Sequence, residues 1–181
     1  SRSPIAKVNG YSITMSPGQL GSLADTELVT NAVNARMSYL KDNGFNLVFG
    51  AIGNLGRGIN AADDDRTYGR DWSNVKDMLE ADILAVNNND MTSVLRYFPS
   101  LTNGGKYNED AAHAIEIFQT GIDAGAKIIM VSNARAEYLT QDLYVPCSLS
   151  PKTVAVLRGA MEYEGILITA SLSEDKITAA Y

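Results

Sequence analysis

Few side chains in this sequence have the types and spacing that chemistry asks for. Arg66, Trp72, Arg96 and Tyr97 offer planar donors and aromatic faces, groups that can hydrogen-bond to a polar ligand and stack on a ring. Tyr97 would alternate with Phe98 across a strand, so one of the two is expected in the core. Asp63-Asp-Asp65 clusters carboxylates that could meet a hard cation or sugar hydroxyls, yet calcium-loop spacing and its closing glutamate are missing. A solvated loop is expected there, and no metal site is assigned. Gly53, Gly56 and Gly58 follow an apolar run as phosphate-cradling glycines do. No helix begins directly behind them, and neither a phosphate-binding lysine nor a dinucleotide fingerprint is present, so no cofactor is expected.

The remaining reactive groups are single. One cysteine, Cys147, excludes an internal disulfide framework, and one histidine, His113, excludes a Cys/His zinc cluster supplied by this chain. Cys147 lies between Pro146 and Ser148 with no assured histidine beside it and reads as structural rather than nucleophilic. Fifteen basic against twenty-one acidic side chains give a net charge of −6, which argues against a broad phosphate-binding surface and against a nucleic-acid partner. No apolar run approaches the ~18 residues of a membrane span. No signal-like apolar segment follows Ser1-Arg-Ser-Pro, which leaves the compartment open between the cytoplasm and export after loss of a leader.

The elements that must carry these residues alternate. Asp25 to Asn43 places Val29, Val33, Met37 and Leu40 on one helical stripe, and Gly44 stands where a left-handed cap is wanted. Phe45 to Ile52 follows, too short for a helix and mostly apolar, which suits a strand buried on both faces. Ser73 to Asn87 is helical through Val75, Met78, Leu79, Ile83 and Val86, with Ser73 as N-cap and Asn87 to Asp90 as the turn that ends it. Ser93 to Phe98 is a second strand, stopped by Pro99. Glu109 to Ala124 is helical through Ala112, Ile115, Phe118 and Ile122, Gly125 closes it, and Lys127 to Ser132 is a third strand. Ser150 caps a helix with Pro151 at its first position and a Val154, Leu157, Met161 stripe, and Gly165 to Thr169 is the fourth strand. One further short strand could fall within Pro4 to Gln19.

Helix then strand, repeated with short connections, indicates parallel βα units and an α/β class. No linker or composition break divides the chain, so residues 1–181 are taken as one domain. A closed eight-stranded barrel takes roughly 250 residues. Four to five parallel βα units make either an open doubly wound sheet or a partial, shortened barrel. Exposed strand edges pair readily, so self-association or docking to a partner chain is expected from strand count alone.

Six blocks recur in a fixed order: Leu40 through Phe45 to Ile52, Arg66-Thr-Tyr-Gly-Arg-Asp-Trp-Ser-Asn-Val75, Leu95-Arg-Tyr-Phe-Pro99, Gly121 to Met130, Ser148-Leu-Ser-Pro-Lys-Thr-Val154, and Leu157 through Glu164 to Leu172. In this order and spacing they resemble the N-terminal barrel domain of glycoside hydrolase family 3, especially its β-N-acetylglucosaminidase branch. The resemblance implies a shortened family 3-like barrel. In the family, the strand similar to Gly165 to Thr169 ends in an aspartate that attacks the anomeric carbon, because a retaining mechanism needs a carboxylate about 5 Å from the acid group. Ala170 occupies that position, and a methyl group cannot attack. The family's acid/base is a histidine paired with an aspartate on the loop after the strand similar to Ser93 to Phe98. Ser100 to Asn108 holds neither a histidine nor a carboxylate, and His113 lies beyond it on a helix.

The resemblance also assigns sugar-holding positions. Arg96-Tyr97 stands for the family's Lys-His before Phe-Pro, Asn54 for the aspartate that ends the first strand, and Asn133 for the histidine after the third, while Arg66 is unchanged. These residues imply a non-catalytic relative, a pseudoenzyme that binds a saccharide or serves assembly with itself or a partner. The alternative is an active β-N-acetylhexosaminidase or β-glucosidase completed by another chain or carrying an engineered Ala170. By the same analogy the pocket belongs at the C-terminal ends of the strands, where loops after Ile52, Phe98, Ser132 and Thr169 converge.

Overall fold

The computed structural model describes residues 15–56, 65–100 and 109–178. In chain order these form helices α1 (Pro17–Leu23) and α2 (Thr26–Asp42), strand β1 (Leu47–Val48), helix α3 (Trp72–Asn88), strand β2 (Thr92–Phe98), helix α4 (Glu109–Asp123) and strand β3 (Ile128–Val131). Helices α5 (Glu137–Thr140) and α6 (Pro151–Ala155), strand β4 (Ile166–Thr169) and helix α7 (Asp175–Thr178) follow. All four strands are parallel and pair in sequence order, β1-β2-β3-β4. A doubly wound sheet reverses its order at a switch point; this one does not, so it is the wall of a barrel. The α/β class and the partial barrel of βα units are therefore as the sequence indicates, with four strands among the described residues.

The helices form for reasons legible locally. Ser16 and Gln19 make a reciprocal capping box around Pro17 at the start of α1. Asp25 accepts from the amides of Glu27 and Leu28 to start α2, whose Val29, Val33, Met37 and Leu40 are all buried. Gly44 closes the turn at a φ of 83°. α3 packs between α2 and α4, and α4 lies on β2. A Cβ on Gly121 of α4 would come 2.5 Å from Leu95 Cδ2, so the absence of a side chain there sets how closely helix and sheet approach. Phe98 and Phe118 meet edge to face in the core, ring centres 5.2 Å apart. Among the described residues no helix is long and apolar enough to cross a membrane.

Several local expectations are corrected. The first strand is two residues long with an isolated bridge from Ile52 to Arg96, because Ala51 takes a φ of 45° and breaks the extended backbone. It is not buried on both faces, since Phe45 and Phe49 are each 50% exposed. β4 is likewise half covered, with Ile166 at 59% exposure. Asp71, not Ser73, caps α3, accepting from the amide of Asn74. The buried face of α4 runs through Ala111, Ala114, Ile117 and Phe118, with Ile115 and Ile122 at its margin. Ser150 precedes α6 without a side-chain cap bond. Thr153 rather than exposed Val154 faces inward, because a π-helical turn, Val156–Ala160, shifts the phase before Leu157 and Met161 return to the core. The end of the Pro4 to Gln19 segment is helical in α1, and its first part lies outside the described residues.

Candidate functional site

Parallel strands put their C-terminal ends on one side, and the segment leading into α3 frames that side. Residues 65–71 are held from three directions. The Asp65 carboxylate accepts from Ser16 Oγ, and its carbonyl accepts from the Gly18 amide at 3.2 Å. The Gly56 amide donates to Gly69 O at 2.6 Å, tying the segment to the loop after β1. From behind, buried Tyr68 donates to Asp82 Oδ2 at 2.7 Å, and Asp82 Oδ1 lies 3.6 Å from Arg36 on α2. Burial first, and then the Asp82 charge, push the Tyr68 hydroxyl well above its ordinary range. A Cβ on Gly21 would overlap the Tyr68 carbonyl, so only glycine lets α1 close on this segment. The outcome is a fixed backbone at Arg66 and Thr67.

The opposite wall comes from the end of β2. Its pairing with β3 steps from Arg96 to Phe98, leaving Tyr97 as the extra residue of a bulge. The Arg96–Tyr97 and Phe98–Pro99 peptide bonds are cis. Neighbours on a regular strand point to opposite faces, but here Arg96 and Tyr97 converge. Arg96 Nη1 donates to Tyr97 Oη at 3.1 Å, and its guanidinium carbon sits 5.1 Å from the Tyr97 ring centre. Burial lowers Arg96 from its ordinary value, with the Arg66 charge adding to the lowering and Tyr97 opposing it. The Tyr97 amide donates to Asn54 Oδ1 at 3.4 Å, which joins the two loops. Phe98 is fully buried, the core partner that alternation with Tyr97 requires.

Between these walls lies an open cleft of about 260 Å³. Asn54, Arg66, Thr67 and Tyr97 supply its polar surface, with Ile52 and Leu55 below them. Three of the residues singled out in the sequence thus share one cavity, and Arg96 adjoins it through Tyr97. The arrangement has donors and one aromatic ring, and among the described residues no lining side chain is a carboxylate.

The glycosyl hydrolase family 3 N-terminal domain model matches residues 7–181. The chain belongs to glycosyl hydrolase family 3. No curated protein matches it significantly. Among solved structures, the family 3 chain is similar to the β-N-acetylhexosaminidase of Beutenbergia cavernae, with 22% identity and a TM-score of 0.80 over 95% of this chain and 56% of that one. It is also similar to a family 3 β-N-acetylglucosaminidase from a Paenibacillus species, with 19% identity and a TM-score of 0.84 over 96% of this chain and 36% of the other. The β-glucoside phosphorylase BglX gives 19% identity and a TM-score of 0.84 over 96% and 35%. At these identities the likeness establishes the fold, and the chain spans about half or less of the length of these structures.

The second half of the family 3 sheet is arranged differently. Asn133, after β3, donates from Nδ2 to Ser171 O at 2.6 Å and accepts from Ser148 Oγ at 2.6 Å. Both ends of its amide are engaged within the chain, so it fastens the loop after β3 to the loop after β4. Ala170, the residue before Ser171, is 6% exposed, its amide donating to Val131 O at 2.8 Å. His113 stacks on Trp72 at 4.3 Å with rings 6° from parallel, and Lys76 Nζ lies 4.3 Å from the same indole, so both aromatic rings serve the contact between α3 and α4. Burial pushes the Cys147 thiol up to about 11, which keeps it protonated and unreactive near neutrality. The amides of Gly53 and Gly56 donate to Arg96 O and Gly69 O, which leaves them unavailable as a phosphate cradle. Gly58, Asp63 and Asp64 lie outside the described residues, and among those described no cluster of three metal-ligating side chains occurs.

Sequence reasoning passed over the Tyr68–Asp82–Arg36 anchor and the Asn133 fastening. For Asp82 a signal existed: it falls on the buried stripe of α3, between Leu79 and Val86, where a charge is expected only with a partner.

Proposed function

We propose that this family 3 chain has given up glycosidic bond cleavage and retains a saccharide-holding cleft formed by Asn54, Arg66, Tyr97 and Arg96. The observation that carries the reading is Ala170, buried directly after β4, where family resemblance calls for the attacking carboxylate. A retaining glycosidase needs that nucleophile and an acid/base, and the Ser100 to Asn108 segment supplies neither a histidine nor a carboxylate. What persists is the opposite half of the site, with planar and amide donors suited to sugar hydroxyls.

The test is direct. p-Nitrophenyl N-acetyl-β-glucosaminide should release no nitrophenol above the uncatalysed rate, and Ala170→Asp should stay inert while folded by circular dichroism, because the acid/base is also missing. Recovery of several orders of magnitude in that variant would instead establish the active alternative, completed by other residues or another chain. Titration with N-acetylglucosamine and muropeptide-like sugars, followed by Trp72 fluorescence, reads binding itself. Assembly is the companion role: the exposed apolar residues flanking β1, Phe45 and Phe49, and Ile166 on β4 favour further strands, from a second copy or another polypeptide, adding to the sheet. A solution mass of one 19.5 kDa chain would argue against that role.

A further inference from the structure

Among the described residues the cleft carries charge of a single sign, in a chain whose net charge is −6. Arg66 lines it and Arg96 reaches it through Tyr97, whereas the ion pairs among the described residues involve other groups: Arg36 with Asp82, Lys41 with Asp90, Lys76 and His113 with Glu116. Arg96 Nε is buried and has no hydrogen-bond partner among the described residues. A buried donor without an acceptor is a standing destabilisation, and an anion removes it. The guanidinium is a planar fork whose paired donors match the two oxygens of a carboxylate or phosphate, a geometry that a hydroxyl cannot fill. Repulsion between the two arginines and the desolvation of Arg96 act in the same direction, since both are relieved by a negative ligand.

We infer that the saccharide taken by this cleft bears an anionic substituent, a carboxylate or a phosphate, received jointly by Arg96 and Arg66. This rests on the saccharide reading above and names its ligand class. The experiment is calorimetric titration of the 181-residue chain, at low and at physiological salt. Glucuronate and glucose 6-phosphate are each compared with glucose, N-acetylmuramate with N-acetylglucosamine, and inorganic phosphate is run alone. At least one acidic sugar should bind about tenfold or more tightly than its neutral counterpart, as a charge-assisted bidentate contact provides. That advantage should shrink with salt, disappear in Arg96→Gln and Arg66→Gln, and persist in part in Arg96→Lys, with thermal melts confirming that each variant is folded. Whether glucuronate or glucose 6-phosphate shows the larger advantage separates carboxylate from phosphate. Equal binding of acidic and neutral sugars overturns the inference and leaves the saccharide reading standing. Binding of inorganic phosphate with no sugar bound at all, or no binding by any probe, overturns both.

Discussion

The two halves of the strand-end face use similar polar residues in opposite ways. On the β1 and β2 side, Arg66, Tyr97 and Asn54 point into a cleft and are steadied by residues outside it, above all Tyr68 and Asp82. On the β3 and β4 side, Asn133 bonds to both Ser148 and Ser171, and Ala170 is buried. A site that keeps its ligand-facing groups available has to be held from behind, whereas a site that satisfies those groups internally becomes ordinary core. The difference lies on the link between packing and function, and it can be broken one half at a time.

The largest effect is expected at the hidden anchor. Asp82→Ala leaves the Tyr68 hydroxyl and the Arg36 guanidinium without their buried partner and should lower stability by about 3 kcal/mol in urea unfolding. It should also weaken ligand binding, since the backbone at Arg66 loses its support. If stability falls but the cleft binds as before, the anchor is not what positions Arg66.

Next comes the fastening itself. Asn133→Ala should cost about 1 to 3 kcal/mol, because the Ser148 hydroxyl and the Ser171 carbonyl lose their partner together. Sugar affinity should stay unchanged. Asn54→Ala should do the reverse, costing less than about 1 kcal/mol for the loss of one long bond and reducing affinity. Equal stability losses in the two variants would erase the contrast between the halves.

The last effect vanishes near neutrality and is confined to alkaline pH. The Cys147 thiol, ordinarily near 9.0, is raised by burial to about 11 in the folded chain. Between those values the unfolded chain has lost this proton and the folded chain keeps it, so stability is full below pH 9 and falls as pH rises. The slope for this group is at most about 1.4 kcal/mol per pH unit. Cys147→Ala should flatten that part of the stability–pH curve and leave the cleft unaffected.

Much of the scaffold was readable because periodicity and capping act locally. The α2 stripe from Val29 to Leu40, the left-handed Gly44 and the Pro151 helix start needed no tertiary information. Parallel βα units alone left a doubly wound sheet and a partial barrel both open, and resemblance pointed to the barrel and, in Arg66 to Val75 and Leu95 to Pro99, to residues that meet at the cleft. What escaped depended on contacts distant in sequence. The left-handed Ala51 that cuts β1 short sits in an unremarkable apolar run. Asn133 reads as a polar loop residue until Ser148 and Ser171 close on it. The exposure of Val154 depends on a π turn downstream that no stripe of side chains announces.

The bulge at the end of β2 makes the cleft depend on a count as well as on identities. Loss of the Tyr97 codon would restore simple two-fold alternation between Arg96 and Phe98 and take one of the two converging side chains away in a single genetic event. Point changes at the same positions leave the reading frame of the strand intact, so lineages carrying this domain can vary the chemistry at this corner by substitution far more freely than by length.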